Sequence, residues 1–122
     1  MGRTTVEAVV TGENGTRRFG FLVDTGSTFV GLPLEDIKAL GLPKFPGGRF
    51  RLITGMGVLE SDTFAADVRI GDDRAPAYVI VSPLPLIGYE LLQNLRMRVN
   101  PVTQSLEKVP EGEEVFPPFI LL

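Results

Sequence analysis

Apolar and polar residues alternate with a period of two along most of the chain, the pattern of strands that bury one face. Val6, Ala8 and Val10 share one side of residues 4–10. Glu13-Asn14-Gly15 follows, and its Asn-Gly step predicts a type I′ hairpin turn into a return strand over residues 16–23. Asp24-Thr25-Gly26-Ser27 interrupts that run with turn-forming residues, and residues 28–32 resume as an apolar, β-prone stretch. Pro33 then opens a short helix over residues 34–40, stopped by Gly41. Residues 41–48 hold two prolines and three glycines and are predicted to form a loop.

Beyond this loop, residues 49–54 and 58–70 read as two strands around a glycine-rich tip, Thr54-Gly55-Met56-Gly57, with Phe64, Ala66, Val68 and Ile70 keeping the alternation. Gly71-Asp72-Asp73 turns the chain into a nearly continuous apolar strand, residues 75–81. Pro83 and Pro85 bracket a loop before Leu86-Ile87-Gly88. Leu91, Leu92 and Leu95 fall at helical spacing within residues 89–95. Strands over 96–99 and 106–109 then flank the Asn100-Pro101 turn. No internal repeat longer than a strand is present. With 14 Gly and 10 Pro spread along the chain as punctuation, the elements predict an all-β body.

A length of 122 residues fits one compact domain, assigned to residues 1–110. Residues 111–122 are an acidic spacer, Glu111-Gly112-Glu113-Glu114, and an uncharged apolar tail. The tail is expected to pack along its own subunit or a partner as an extra edge. The competing expectation is that it occupies a cleft as a substrate would.

Charge and composition narrow the chemistry. A net charge of -3 without a basic patch removes the electrostatic basis for binding nucleic acid or an anionic membrane. The chain starts without a secretory signal and has no run of the roughly 18 apolar residues a membrane span needs, so a soluble, cytoplasmic protein is expected. Having no Cys and no His, it can form no disulfide, no thiolate nucleophile, no Ser-His relay and no Cys- or His-ligated metal site. Carboxylates, a few lysines, tyrosines and hydroxyls remain for acid-base work, of which Asp or Glu is the expected carrier, and no cofactor is implied.

One carboxylate stands out. Phe21-Leu22-Val23-Asp24-Thr25-Gly26-Ser27 sets an Asp just after an apolar strand, in a turn whose Gly leaves room for other groups beside it. Asp, Thr, Gly and Ser are also ordinary turn residues, so the triplet alone does not separate a site from a strand end.

With the tip Thr54-Gly55-Met56-Gly57 and the segment Leu86-Ile87-Gly88 plus the helix after it, in that order, the chain resembles the retropepsin-like aspartic proteases, the single-domain relatives of pepsin. The resemblance covers about residues 4–109. It implies a closed β barrel or sandwich with psi-shaped loops, one short C-terminal helix and a flap hairpin. It makes Asp24 the shared acid and base, and gives Thr25, Gly26 and Ser27 supporting roles. Thr25 would brace the partner loop, Gly26 would offer its N–H, and Ser27 would donate its hydroxyl to the carboxylate. Residues 54–57 would be the flap, and Leu86, Ile87 and Gly88 the second half of the psi-loop.

Aspartic-protease chemistry uses two carboxylates sharing one proton, and this chain has one such motif. The implied enzyme is therefore a homodimer that cuts extended, apolar-flanked peptides. Two features depart from the retroviral pattern. Tyr89 and Glu90 stand where those enzymes carry Arg followed by Asn or Asp, which removes an interface ion pair. The chain also runs past Val109 into Pro110 and the acidic spacer, where viral enzymes interleave terminal strands. Two other readings remain open: a non-catalytic dimerisation or peptide-binding module on the same fold, and a structural β domain with a chance Asp-Thr-Gly.

Overall fold

The computed structural model describes residues 3–54 and 57–110, with residues 46–50, 52–54 and 59 as backbone only. The acidic spacer, the apolar tail and the flap-tip residues Gly55 and Met56 lie outside the described residues. In chain order the elements are β1 (Thr5–Gly12), β2 (Gly15–Val23), β3 (Val30–Leu32), α1 (Leu34–Leu40), β4 (Lys44–Thr54), β5 (Gly57–Ile70), β6 (Asp73–Val81), β7 (Leu86–Ile87), α2 (Tyr89–Asn94), β8 (Met97–Asn100) and β9 (Ser105–Lys108).

Six strands close into a barrel in the order β1-β2-β7-β3-β6-β5, sealed by β5 pairing back onto β1 at Val10↔Val68. Closure removes the open edges that an antiparallel sheet would otherwise expose. β4 hangs outside the ring on β5 and runs out to the hairpin pair Thr54↔Gly57. The alternation of the sequence is the inside and outside of this barrel. Val10, Phe21, Leu32, Val68, Val79 and Ile87 all point in with 0% exposure. No helix among the described residues is long and apolar enough to cross a membrane.

Helix α1 forms as the sequence predicts. Pro33 holds the N-cap position with φ −59°, Ile37 and Leu40 are buried, and Gly41 turns the chain out at φ 63°. The Gly41 N–H returns to Lys38 O and the Leu42 N–H to Ile37 O, both at 3.1 Å, so the last turn is capped by backbone in the left-handed manner glycine permits.

Three local expectations change. The first hairpin turns on Glu13–Asn14, with Gly12↔Gly15 as its last pair, rather than on Asn14–Gly15. Neither Glu13 nor Asn14 has positive φ, so the turn is not type I′, and Gly15 takes φ 143° at the start of the return strand. The cause is tertiary: Glu13 N–H donates to Gly41 O at 3.3 Å and Asn14 N–H to Leu40 O at 2.9 Å, satisfying carbonyls at the end of α1.

The predicted loop over 41–48 is strand from Lys44 onward. Between the pairs Lys44↔Phe64 and Arg49↔Asp62, β4 advances five residues while β5 advances two, so an irregularity absorbs the extra three. An edge strand can carry Pro46, Gly47 and Gly48 at such a bulge, where a central strand could not. The third change is a shift of one residue in the last hairpin. Arg96, at φ 56°, swings the chain out of α2, so β8 starts at Met97 and pairs with Lys108 instead of beginning at 96.

Candidate active site

Asp24 is the first residue past β2, and three backbone hydrogen bonds fix where it leaves. Leu22 N–H donates to Pro85 O at 3.0 Å, Val23 N–H to Thr4 O at 2.9 Å, and Asp24 N–H to Ile87 O at 2.8 Å. The first and third acceptors belong to β7 and the residue before it, and β7 lies parallel to β2 with Leu22↔Leu86 and Val23↔Ile87 in register. On its other side β7 meets β3 at Gly31↔Leu86. Strands β2 and β3 therefore diverge on either side of the Asp24 turn and β7 fills the gap between them, which is the psi-shaped arrangement.

The turn itself is closed by Ser27 N–H donating to Asp24 O at 3.0 Å and by Gly26 N–H donating to Asp24 Oδ1 at 3.1 Å. The second bond aims a backbone donor at the carboxylate. Helix α2 braces the far side: Tyr89 N–H reaches Ser27 O at 2.9 Å and Glu90 N–H reaches Thr28 O at 3.3 Å. The first N–H groups of a helix have no partner within it, and here the Asp24 loop supplies the acceptors.

Gly88 makes that contact possible. A Cβ there would lie 2.5 Å from Ser27 O, 2.7 Å from Phe29 O and 2.7 Å from Thr28 C, all backbone atoms. Its φ of −94° is open to any residue, so the demand is for space and not for conformation.

Asp24, Thr25 and Gly26 are all exposed in the single chain, while the strands that deliver them are buried at Phe21 and Ile87. The site is an exposed turn carried on buried strands. A Cβ on Gly26 would lie 3.3 Å from Asp24 Oδ1, a tight approach to the group it supports. Ser27 differs from the role implied for it: its Oγ donates to Phe29 O at 3.4 Å, and the donor on the Asp24 carboxylate is Gly26 N–H.

The structure brings together Asp24, Thr25, Gly26 and Ser27 with Leu86, Ile87 and Gly88, two segments far apart in the sequence. It places Thr54 and Gly57 at the end of the β4–β5 hairpin, with Gly57 at φ 126°. The bracing by Tyr89 and Glu90 is a contact that sequence reasoning misses. Its signal is weak, a Gly followed at once by a helix with no Ser, Thr, Asp or Asn to cap it.

Comparison with known proteins agrees with this geometry. Residues 6–99 match a family model described as aspartyl protease. No curated protein matches the chain in sequence. Among solved structures, the EIAV protease complexed with the inhibitor HBY-793 is similar to it with a TM-score of 0.59 at 18% identity, covering 77% of this chain and 88% of that one. A likeness at that identity speaks for the fold, and the family match spans the Asp24 turn, the strand that threads behind it and the helix that braces it. The chain belongs to the aspartyl protease family and has its retropepsin-like fold.

Proposed function

We propose that the protein is a homodimeric aspartic endopeptidase whose active site forms where the Asp24 turns of two copies face each other across a two-fold axis. The observation that carries this reading is the Asp24 turn itself. It holds one carboxylate, with a backbone donor on Oδ1, and leaves it exposed beside an exposed Thr25 and Gly26. The chemistry needs two carboxylates, and a single chain provides one such turn. A second copy would supply the other carboxylate and exclude bulk water from both.

In the mechanism, one Asp24 carboxylate accepts a proton from a water while its protonated counterpart donates to the substrate carbonyl. The attacking oxygen forms a bond to the carbonyl carbon, and collapse with protonation of the amide nitrogen releases the amine. Gly26 N–H holds the carboxylate in place through these proton transfers. Thr25 would reach across to the partner loop. The β4–β5 hairpin, with Thr54, Gly55, Met56 and Gly57 as its flap tip, would close over an extended peptide and offer backbone donors to it. An extended substrate with apolar residues flanking the cut fits a cleft built between two barrels.

Cleavage of unfolded casein or of an apolar peptide library tests this reading, with Asp24→Asn as the control. The wild type should cut and the mutant should not, while remaining folded. Specific activity should fall as the protein is diluted below its dimer dissociation constant. Constant specific activity from a demonstrated monomer, or turnover retained in Asp24→Asn, refutes the proposal. A dimer that binds such peptides without cutting them is the non-catalytic module instead. A chain ending at Pro110 tests the division at residue 110: faster cleavage than the full chain supports a tail that occupies the cleft, and loss of the dimer supports a tail that packs as an extra edge.

A further inference from the structure

On the outside of the barrel, the β4–β6 face and α2 line a groove of about 330 Å³. Its walls are Phe45 from β4, Tyr78 and Pro76 from β6, and Glu90 and Asn94 from α2, over the small Ala65. Along β6 the alternation turns Ala75, Ala77 and Val79 into the core, which leaves Pro76 and Tyr78 on the outer surface. Phe45 and Tyr78 meet edge to face at 5.1 Å, yet they remain 41% and 39% exposed, so ring surface is open to the groove. The Glu90 carboxylate is half-buried at the helix N-terminus and has no cationic partner among the described residues.

The groove is tied to the Asp24 turn at two points. The ring of Phe29 packs at 6.0 Å and 88° on Tyr78, and Glu90 N–H is hydrogen-bonded to Thr28 O. We infer that this groove binds an arginine side chain of the polypeptide substrate, several residues from the bond that is cut. The inference rests on the protease reading given above. Aromatic rings beside a carboxylate that has no cation among the described residues are complementary to a planar guanidinium, which stacks on rings and bonds carboxylates with its edge. The volume suits a side chain and is at the low end for a whole small ligand.

Two measurements test this, one of them independent of turnover. In Asp24→Asn protein, N-acetyl-arginine methylamide is titrated and backbone amide resonances are followed by NMR, with the norleucine analogue as a neutral probe of similar length. Shifts confined to Phe45, Tyr78, Glu90 and Asn94, present for arginine, several-fold weaker for norleucine and lost in Glu90→Gln, support the groove. Equal response to both probes, or a response that survives Glu90→Gln, overturns it.

In the second measurement, active protein cleaves peptides with arginine or norleucine placed at successive positions away from the scissile bond. The kcat/KM ratio should favour arginine about fivefold at one distal position and fall to about one in Glu90→Gln and in Tyr78→Leu. A ratio near one at every position in the wild type overturns the inference while leaving the protease reading intact. Failure of the wild-type protein to cleave any of these peptides, with the arginine probe still bound, refutes the protease reading, and with it the substrate as the source of the guanidinium.

Discussion

The backbone N–H of Asp24 donates to the carbonyl oxygen of Ile87 across 2.8 Å. This one bond joins the end of β2 to β7, a strand made much later in the chain, and it fixes the direction in which the carboxylate leaves the barrel. The family match over residues 6–99 includes both ends of this crossing.

Gly88 is where the crossing is tightest, so Gly88→Ala should cost about 1–3 kcal/mol in overpacking and also disturb the loop it presses on. Gly20→Ala is the matched control, because a Cβ there meets nothing within 4 Å. Urea denaturation of the two variants should separate them, with Gly20→Ala within about 0.5 kcal/mol of wild type. Equal stability of the two would mean that the loop yields freely to the added methyl.

Thr63 is 1% exposed and its hydroxyl has no hydrogen-bond partner among the described residues. A buried hydroxyl with no partner keeps its desolvation cost, and Val has nearly the same shape. Thr63→Val should therefore stabilise the fold by about 1 kcal/mol, read as an upward shift in the denaturation midpoint. Loss of stability would show that the hydroxyl is bonded in solution.

On the β8–β9 hairpin, Arg98 Nε donates to Glu107 Oε1 at 2.7 Å and Asn100 Nδ2 to Oε2 at 3.2 Å. The Arg98 hydrogen bond foremost, then that from Asn100, holds the Glu107 carboxyl below its ordinary value. A carboxylate with a depressed folded value stabilises the protein above its unfolded value, and that contribution is lost as pH falls through the folded one. Arg98→Ala should thus be less stable than wild type at about pH 7, and the gap should narrow as pH falls below the ordinary carboxylate value of about 4.3. A gap independent of pH would assign the effect to packing of the Arg98 side chain.

The parts of this architecture held together by neighbours in sequence are legible in the sequence itself. The alternation of Val6, Ala8 and Val10 and of Ala66, Val68 and Ile70 locates core faces. Pro33 and Gly41 bound α1, and Asp24 stands out by its position after an apolar strand. Where local pattern misleads, a distant contact overrules a local preference: the end of α1 redirects the Glu13–Asn14 turn, and an edge position lets β4 absorb Pro46, Gly47 and Gly48. The groove residues Phe45, Tyr78 and Glu90 sit on three separate elements and carry no local signal at all. Similarly, the parallel pairings β2–β7 and β3–β6 join segments whose patterns look alike whichever strand they meet.

The place of β7 in the sheet also sets a timetable. Pairings of β1 with β2, β4 with β5, β5 with β6 and β3 with β6 use only chain that precedes it, and all are available to a growing polypeptide before Leu86 has left the ribosome. The gap between β2 and β3 stays empty throughout that interval, and Asp24 has neither its Ile87 acceptor nor the helix behind its loop. Non-local contacts of this kind form late. Whatever chemistry Asp24 performs therefore waits until β7 and α2 have been made.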